Sequence, residues 1–411
     1  MKKYLVRIPA IALSTVAVLV CCSCATSRSD EPGVKQLITH PLQIAAHATV
    51  SLPDGDAAAI VAATSQILSQ CNARASMAGP VNTFTVGTGT INSQADFDAV
   101  GATFKGVPRR VRVVNALNWC STFNVNIIGC APQPGTFLVV ERRSTIADEG
   151  ILWAHEFGHT KGLPHRDDVG AVMRPVAVAD NTLFNGGECQ SIRSLSRVLQ
   201  EGSPTSSNTG VTDVSDFVRQ QFFEGVPYLE AKKYPSADAQ KLLAILADPN
   251  QAKFWATTVA VLAIISDGSH AGQIINFIQS DIGVNSDDAV RGKQAAILAL
   301  GFVLNKTNQR TVLNFLKSGL DASNWDGLGI KWKATFHRTI ADRNWHLVGL
   351  SVIALGLSGV PEGQSALQTF LAGLNTVQNP SVREHLVNTS SEALRAHAII
   401  VSGGLERYYS K

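Results

Sequence analysis

Residues 155 to 165 read His-Glu-Phe-Gly-His-Thr-Lys-Gly-Leu-Pro-His, and Met173 stands eight positions beyond the last histidine. His155 and His159 are four apart, so on a helix they project from one face about one turn apart. Gly162 can leave a helix in the left-handed conformation at no steric cost, which turns the chain so that His165 supplies a third imidazole. Three protein ligands leave a fourth position to water, the arrangement of a catalytic zinc site. Glu156 follows the first ligand, where it can take a proton from that water. The expected cofactor is therefore Zn2+, with His155, His159 and His165 as ligands and Glu156 as general base. A chance His-Glu-x-x-His on a core helix accounts for five of these residues but not for the longer run.

This run resembles the metzincin clan of zinc endopeptidases, whose pattern is H-E-x-x-H-x-x-G-x-x-H followed by a methionine turn. Residues 165 to 175, His-Arg-Asp-Asp-Val-Gly-Ala-Val-Met-Arg-Pro, resemble the matrixin pattern H-x-x-D-[IV]-G-A-[LV]-M-x-P, with the same spacing from third histidine to methionine. The resemblance implies hydrolysis of peptide bonds and a structural role for Met173 as a floor beneath the metal. Lys161 stands where the family usually has an apolar residue; its stem is expected to pack with the ammonium in solvent. Arg174 and Pro175 occupy the place where astacin-like members put a tyrosine ligand, and no cysteine-switch propeptide of the matrixin kind is found. The substrate is expected to bind extended, as a strand added along Thr136 to Val140 and so beside Phe137, Leu138 and Val139. In matrixins the segment after the methionine turn walls the pocket for the residue after the cut. Here that segment is Pro175-Val176-Ala177-Val178, uncharged, with Ala177 where a tyrosine is usual, so an apolar pocket of broad preference is expected.

The elements that must position these residues follow from pattern. Asp54 opens an Ala/Ile/Leu-rich run that predicts a helix over 54 to 75. Phe84-Thr85-Val86, Val111 to Val114, Asn124 to Ile128 and Thr136 to Glu141 read as strands of one sheet. Thr145 and Asp148 form a capping signal ahead of the zinc helix, and Gly186 to Leu199 is expected to close the domain. The fold class expected is an α+β metzincin-like catalytic domain, a mixed sheet plus active-site helix, followed by an all-α helical-repeat domain. The boundaries are a signal peptide over 1–24, a polar linker over 25–44, the zinc protease domain over 45–200, a linker over 201–210 and the helical domain over 211–411. Within the last, Ala299-Leu300-Gly301 precedes Phe315-Leu316 at the spacing at which Ala354-Leu355-Gly356 precedes Phe370-Leu371, and Leu262-Ala263 leads to Phe277-Ile278. Paired helices at this period resemble HEAT-type repeats, with an insertion around residues 318 to 345; a plain helical bundle is the alternative.

The chain has 411 residues, 45% hydrophobic and 16% charged, with a net charge of +3, which is globular and too weakly basic to argue for nucleic acid. Met1-Lys2-Lys3, an apolar run from Ile8 to Cys22 and a polar stretch to Gly33 make a bacterial-type export signal. Cys24 is the expected acylation site of a lipoprotein signal, the only expected attachment to a membrane; cleavage after Ala25 and soluble export is the alternative. Cys71, Cys120, Cys130 and Cys189 remain, and an exported compartment permits disulfides in any of three pairings or free buried thiols. Cys120 with Cys130 across a short hairpin is the expected bridge, leaving Cys71 with Cys189. His270, His337, His346, His385 and His397 lack ligand spacing and are expected to be surface or packing residues. The partners expected are a protein or peptide substrate and a protein bound by the helical half. A binding scaffold with a vestigial zinc domain, and a zinc hydrolase acting on a non-peptide bond, are the rivals to an exported metalloendopeptidase.

Overall fold

Short extended runs bounded by turns make the strands, and the order in which they pair decides what they enclose. The computed structural model describes residues 36–104, 109–194, 213–328, 332 and 339–410. Strands β1 (Ile38–His47), β2 (Ala73–Met77), β3 (Asn82–Phe84), β4 (Thr90–Ile91), β5 (Arg110–Val114), β6 (Ala116–Cys120), β7 (Thr122–Ile127), β8 (Gly129–Cys130) and β9 (Phe137–Glu141) alternate with helices α1 (Asp54–Leu68), α2 (Gln94–Gly101) and α3 (Ile146–Thr160). The main sheet runs β2-β1-β5-β9-β8, with β3 also on β1, and β4, β6 and β7 form a second sheet. Within the main sheet only β8 runs antiparallel, along β9 at one end. Val111, Val113, Leu138 and Val140 share a core with α1 and α3, while Val139 joins Phe97 and Trp119 in another. Burial on both faces explains the apolar run Phe137 to Val140 of β9.

Several boundaries differ from those expected. The sheet begins at Ile38, so residues 38–44 are not linker: Leu42 and Ile44 are buried, and the strand pairs with both β2 and β5. The helix predicted over 54 to 75 ends at Leu68, continues as a 3-10 turn to Cys71, and is stopped by Asn72 in the left-handed conformation. The chain then pairs as β2, which side-chain composition alone did not signal. Residues 124 to 127 belong to the second sheet, not to the main one. Strand β9 is not an edge, because β8 covers the side away from β5. Phe137 packs on Phe97, and Leu138 and Val139 are buried, so the predicted substrate strand is interior to the sheet.

Beyond β10 (Val176–Ala177) and α4 (Gly186–Arg193), the described chain resumes with α5 (Val214–Val218), β11 (Gln221–Phe222), α6 (Tyr228–Ala231) and α7 (Ala239–Ala247). The predicted closing helix thus ends at Arg193, with Ser194 extended as its cap. The rest is all-helical: α8 (Trp255–Ile265), α9 (Ala271–Gln279), α10 (Asp287–Thr307), α11 (Arg310–Ser318), α12 (Asn324–Gly327), α13 (Ile340–Ser358), α14 (Pro361–Gly373) and α15 (Pro380–Tyr409). Helices α8, α10, α13 and α15 form a row; α9 packs on α10, α11 across α10 and α13, and α14 across α13 and α15. The predicted helix pairs therefore make two layers. The recurring glycine has a packing reason. A Cβ on Gly301 would lie 2.5 Å from the carbonyl oxygen of Ala354, and one on Gly356 would lie 2.7 Å from that of Ala393. Gly301→Ala is expected to lower unfolding stability by about 1–3 kcal/mol, although the same change in an open helix gains about 1 kcal/mol. Denaturant titration reads the sign directly.

The two halves are not separate domains: Leu37–Lys411 belong to one compact unit, and one buried cluster runs from Trp119 and Phe123 to Leu300 and Leu355. Polar contacts cross the same boundary. The Trp119 indole donates to Glu392 at 3.0 Å, the Tyr408 hydroxyl accepts from the Phe123 amide at 2.8 Å, and His385 lies 3.3 Å from the Asp96 carboxylate. The predicted linker over 201–210, the signal segment over 1–24 with Cys24, and His337 lie outside the described residues.

Candidate metal centre

Helix α3 carries His155, Glu156 and His159, and both its ends form as their residues dictate. The Asp148 amide donates to Thr145 Oγ1 at 3.1 Å, and the Thr145 hydroxyl donates to the Asp148 carboxylate at 2.7 Å. At the other end Gly162 has φ +83°. The Gly162 amide donates to the His159 carbonyl at 2.8 Å and the Leu163 amide to the Gly158 carbonyl at 3.1 Å, the paired bonds of a Schellman cap. The predicted turn at Gly162 is thus present, and it brings His165 back to the helix.

The three imidazoles converge. His159 Nε2 lies 3.1 Å from His155 Nε2 and 3.2 Å from His165 Nε2. His155 Nδ1 donates to the Val172 carbonyl at 2.7 Å and His159 Nδ1 to the Leu163 carbonyl at 2.8 Å. A carbonyl only accepts, so these bonds place each proton on Nδ1 and leave the Nε2 lone pairs facing one another. Burial first, and then the neighbouring imidazoles, hold His155 well below the ordinary histidine range; the same causes bring His159 to about 4. Both stay neutral, the form that ligates a metal. The cluster of His155, His159 and His165 can hold a metal ion.

Glu156 is fully buried, and neither of its carboxylate oxygens has a hydrogen-bond partner among the described residues. Burial, and then the Glu224 carboxylate, push its pKa well above the usual carboxylate range. The place for this carboxylate exists because residue 129 is glycine: a Cβ there would run into Glu156 Oε1. Met173 is fully buried with its sulfur against the Gly158 backbone, between the two helical histidines in sequence. The segment leading to it is pinned by Arg166, whose amide donates to the Met173 carbonyl at 2.9 Å and whose guanidinium pairs with Glu188 at 2.8 and 3.1 Å.

Of the other predicted site residues, Pro175, Val176 and Ala177 border the centre: β10 pairs with β11, and the Pro175 carbonyl accepts from Phe223 at 3.1 Å. Phe137, Leu138 and Val139 do not reach it, for the reason given above. Lys161 departs from expectation. It is only 4% exposed, its ammonium donates to the Ser194 carbonyl at the end of α4, and burial brings it to about 7. A helix terminus offers a cation its free carbonyls, so the charge is satisfied inside. The expected disulfides are both formed, Cys71–Cys189 with Cα atoms 4.8 Å apart and Cys120–Cys130 at 5.7 Å.

Phe223 and Glu224 were not singled out by the sequence, yet they touch the centre. The Phe223 ring stacks on His155 with centroids 3.9 Å apart, and Glu224 Oε1 lies 3.6 Å from His159 Nε2. An apolar Phe-Phe followed by Glu carries no spacing rule that ties it to a motif some sixty residues upstream. No protein-family model matches the chain, and no curated protein matches it.

Proposed function

We propose that the protein is an exported, zinc-dependent endopeptidase of the metzincin kind. The observation that carries this reading is the convergence of three imidazole nitrogens beside a buried, unpartnered carboxylate. Two nitrogens each about 2.0–2.1 Å from one tetrahedral zinc stand roughly 3.3 Å apart, close to the spacings present. Nitrogen ligands in threes suit zinc and its transition-metal neighbours, while hard cations such as Mg2+ prefer oxygen. A zinc ion held by His155, His159 and His165 would supply a water of lowered pKa and a Lewis acid for a carbonyl.

The remaining steps belong to the chain's own residues. Glu156 accepts the proton of the attacking water and returns it to the leaving amine. Val172 and Leu163 hold the imidazoles of His155 and His159 in the ligating tautomer through their carbonyls. An extended peptide would lie between the uncharged stretch of Pro175, Val176 and Ala177 and the edge at Ile128 and Gly129, in place of the predicted position along β9. The absence of charge in that wall supports an apolar preference after the cut. Retention of a buried carboxylate without a structural partner speaks against a vestigial site, since leaving such a group unsatisfied costs stability.

Two disulfides support an oxidising compartment, in keeping with the proposed export and with acylation at Cys24. Among the described residues no helix is long and apolar enough to cross a membrane. The layered helices, in the manner of HEAT-type repeats, offer a surface for a protein partner. Incubation with a diverse peptide library, with and without chelator, tests the reading. Cleavage that depends on metal, about one zinc per chain by elemental analysis, and loss of that zinc in His159→Ala are the expected results. A folded protein that takes up no zinc, or leaves every peptide intact, would remove it.

A further inference from the structure

Residues 221–226 run as an extended segment between residues 175–177 and residues 125–129. Its β11 pairs antiparallel with β10 on one side. On the other, Glu224 forms an antiparallel bridge with Ile127, and the Val226 amide donates to the Val125 carbonyl at 3.2 Å. Phe223 is held from both sides. Its amide donates to the Pro175 carbonyl at 3.1 Å, and its carbonyl accepts from Ile128 at 2.9 Å and from Gly129 at 3.2 Å. Its ring is fully buried and lies nearly parallel to His155, at 14°. The next residue then turns its carboxylate onto the metal cluster.

Glu224 Oε1 is 3.6 Å from His159 Nε2 and 3.9 Å from His165 Nε2. The proton of His159 is committed at Nδ1 to the Leu163 carbonyl, so the nitrogen facing this oxygen presents a lone pair. A carboxylate opposite a lone pair is repulsive unless a cation lies between them. Among the described residues no lysine or arginine pairs with Glu224, whose titratable neighbours at ion-pair distance are these two histidines. Ligands of one tetrahedral zinc at about 2.0–2.2 Å stand roughly 3.3–3.5 Å apart; the oxygen is a few tenths of an ångström beyond that from two of the three imidazoles, and a turn of the half-exposed side chain would bring it to the third.

We propose that residues 221–226 are an internal occupant of the substrate cleft and that Glu224 is a fourth ligand of the metal held by His155, His159 and His165, so that the centre stays closed until this segment is displaced. The inference rests on the three-histidine cluster being a metal centre. A tethered segment competes at an effective concentration that a free peptide must exceed, which gives the chain a means of latency. The main-chain bonds of Phe223 give the segment its place and the carboxylate closes the metal, so the side chain of Glu224 can be changed while the backbone pairing remains.

The full chain loaded with Co2+ provides a readout that does not depend on cleavage. Wild type, Glu224→Ala and Glu224→Gln are compared by the visible absorption of the bound cobalt and by titration with acetohydroxamate, a small anion that takes open metal positions. Both variants are expected to change the cobalt spectrum, to bind acetohydroxamate at least tenfold more tightly than wild type, and to cleave peptides faster. Glu224 is partly exposed, and the glutamine variant keeps its size and hydrogen-bonding capacity should the alanine variant unfold. Superposable spectra and equal acetohydroxamate affinities across the three proteins would overturn the fourth ligand while leaving the three-histidine centre in place. Failure of all three to bind Co2+ would remove the centre itself, and this inference with it.

Discussion

Glu156→Gln is expected to lower peptide cleavage by about 100- to 10,000-fold, the usual contribution of a positioned general base, with zinc content unchanged. The substitution is nearly isosteric, so the pocket between Gly129 and α3 is kept, yet the amide cannot accept a proton. Both oxygens of Glu156 lack hydrogen-bond partners among the described residues, so no structural bond is broken by removing the charge. The fold is therefore expected to gain stability or stay level, since a buried carboxylate without a partner is costly. Activity falling while the unfolding midpoint holds or rises is the signature of a group kept for chemistry. Undiminished cleavage by a folded, metal-loaded variant would mean that another group takes the proton.

Replacing Cys71 and Cys189 together by serine is expected to cost about 4–5 kcal/mol of unfolding free energy, the figure for a bridge closing a loop on the order of 100 residues. The same double replacement at Cys120 and Cys130, separated by ten residues, is expected to cost about 3 kcal/mol, the figure for a loop near 15. The difference arises in the unfolded chain, where the longer loop forfeits more conformations. The long bridge also joins the turn after α1 to α4, which carries Glu188, the partner of Arg166 beside His165. Its loss is thus expected to weaken metal retention, and loss of the short bridge is not. Denaturant unfolding of the four-cysteine protein and the two double variants, each with metal content measured, separates these effects; equal costs would show that the loop-closure argument does not govern here.

The histidine cluster was legible in the sequence because its parts lie within one helix, one turn and one loop. Spacing by four places two side chains on a helix face whatever else the protein does, Gly162 takes the conformation only glycine takes freely, and Thr145 with Asp148 caps the start; local geometry decides all of these. The repeat was legible for a related reason: helices that cross at the same height need the same small residue, so Gly301 and Gly356 recur at matching positions. The helical half, read as a separate domain, proved to share its core with the sheet, because an apolar helix face does not say which surface will cover it.

Tertiary structure alone decided where β9 sits, where Lys161 puts its charge, and which residues approach the three histidines. Strand pairing is made by backbone groups that every residue carries, so the two-residue strand Gly129–Cys130 that converts β9 from edge to interior leaves almost no mark in side-chain pattern. The Lys161 ammonium finds the Ser194 carbonyl only because α4 ends there. Likewise, the approach of Phe223 and Glu224 to three histidines far upstream is fixed by main-chain bonds to Pro175, Ile128 and Gly129. From the sequence come the three histidines and the glutamate on their helix; from the fold comes the second carboxylate that faces them, since distant segments meet through shape and backbone pairing and not through any spacing along the chain.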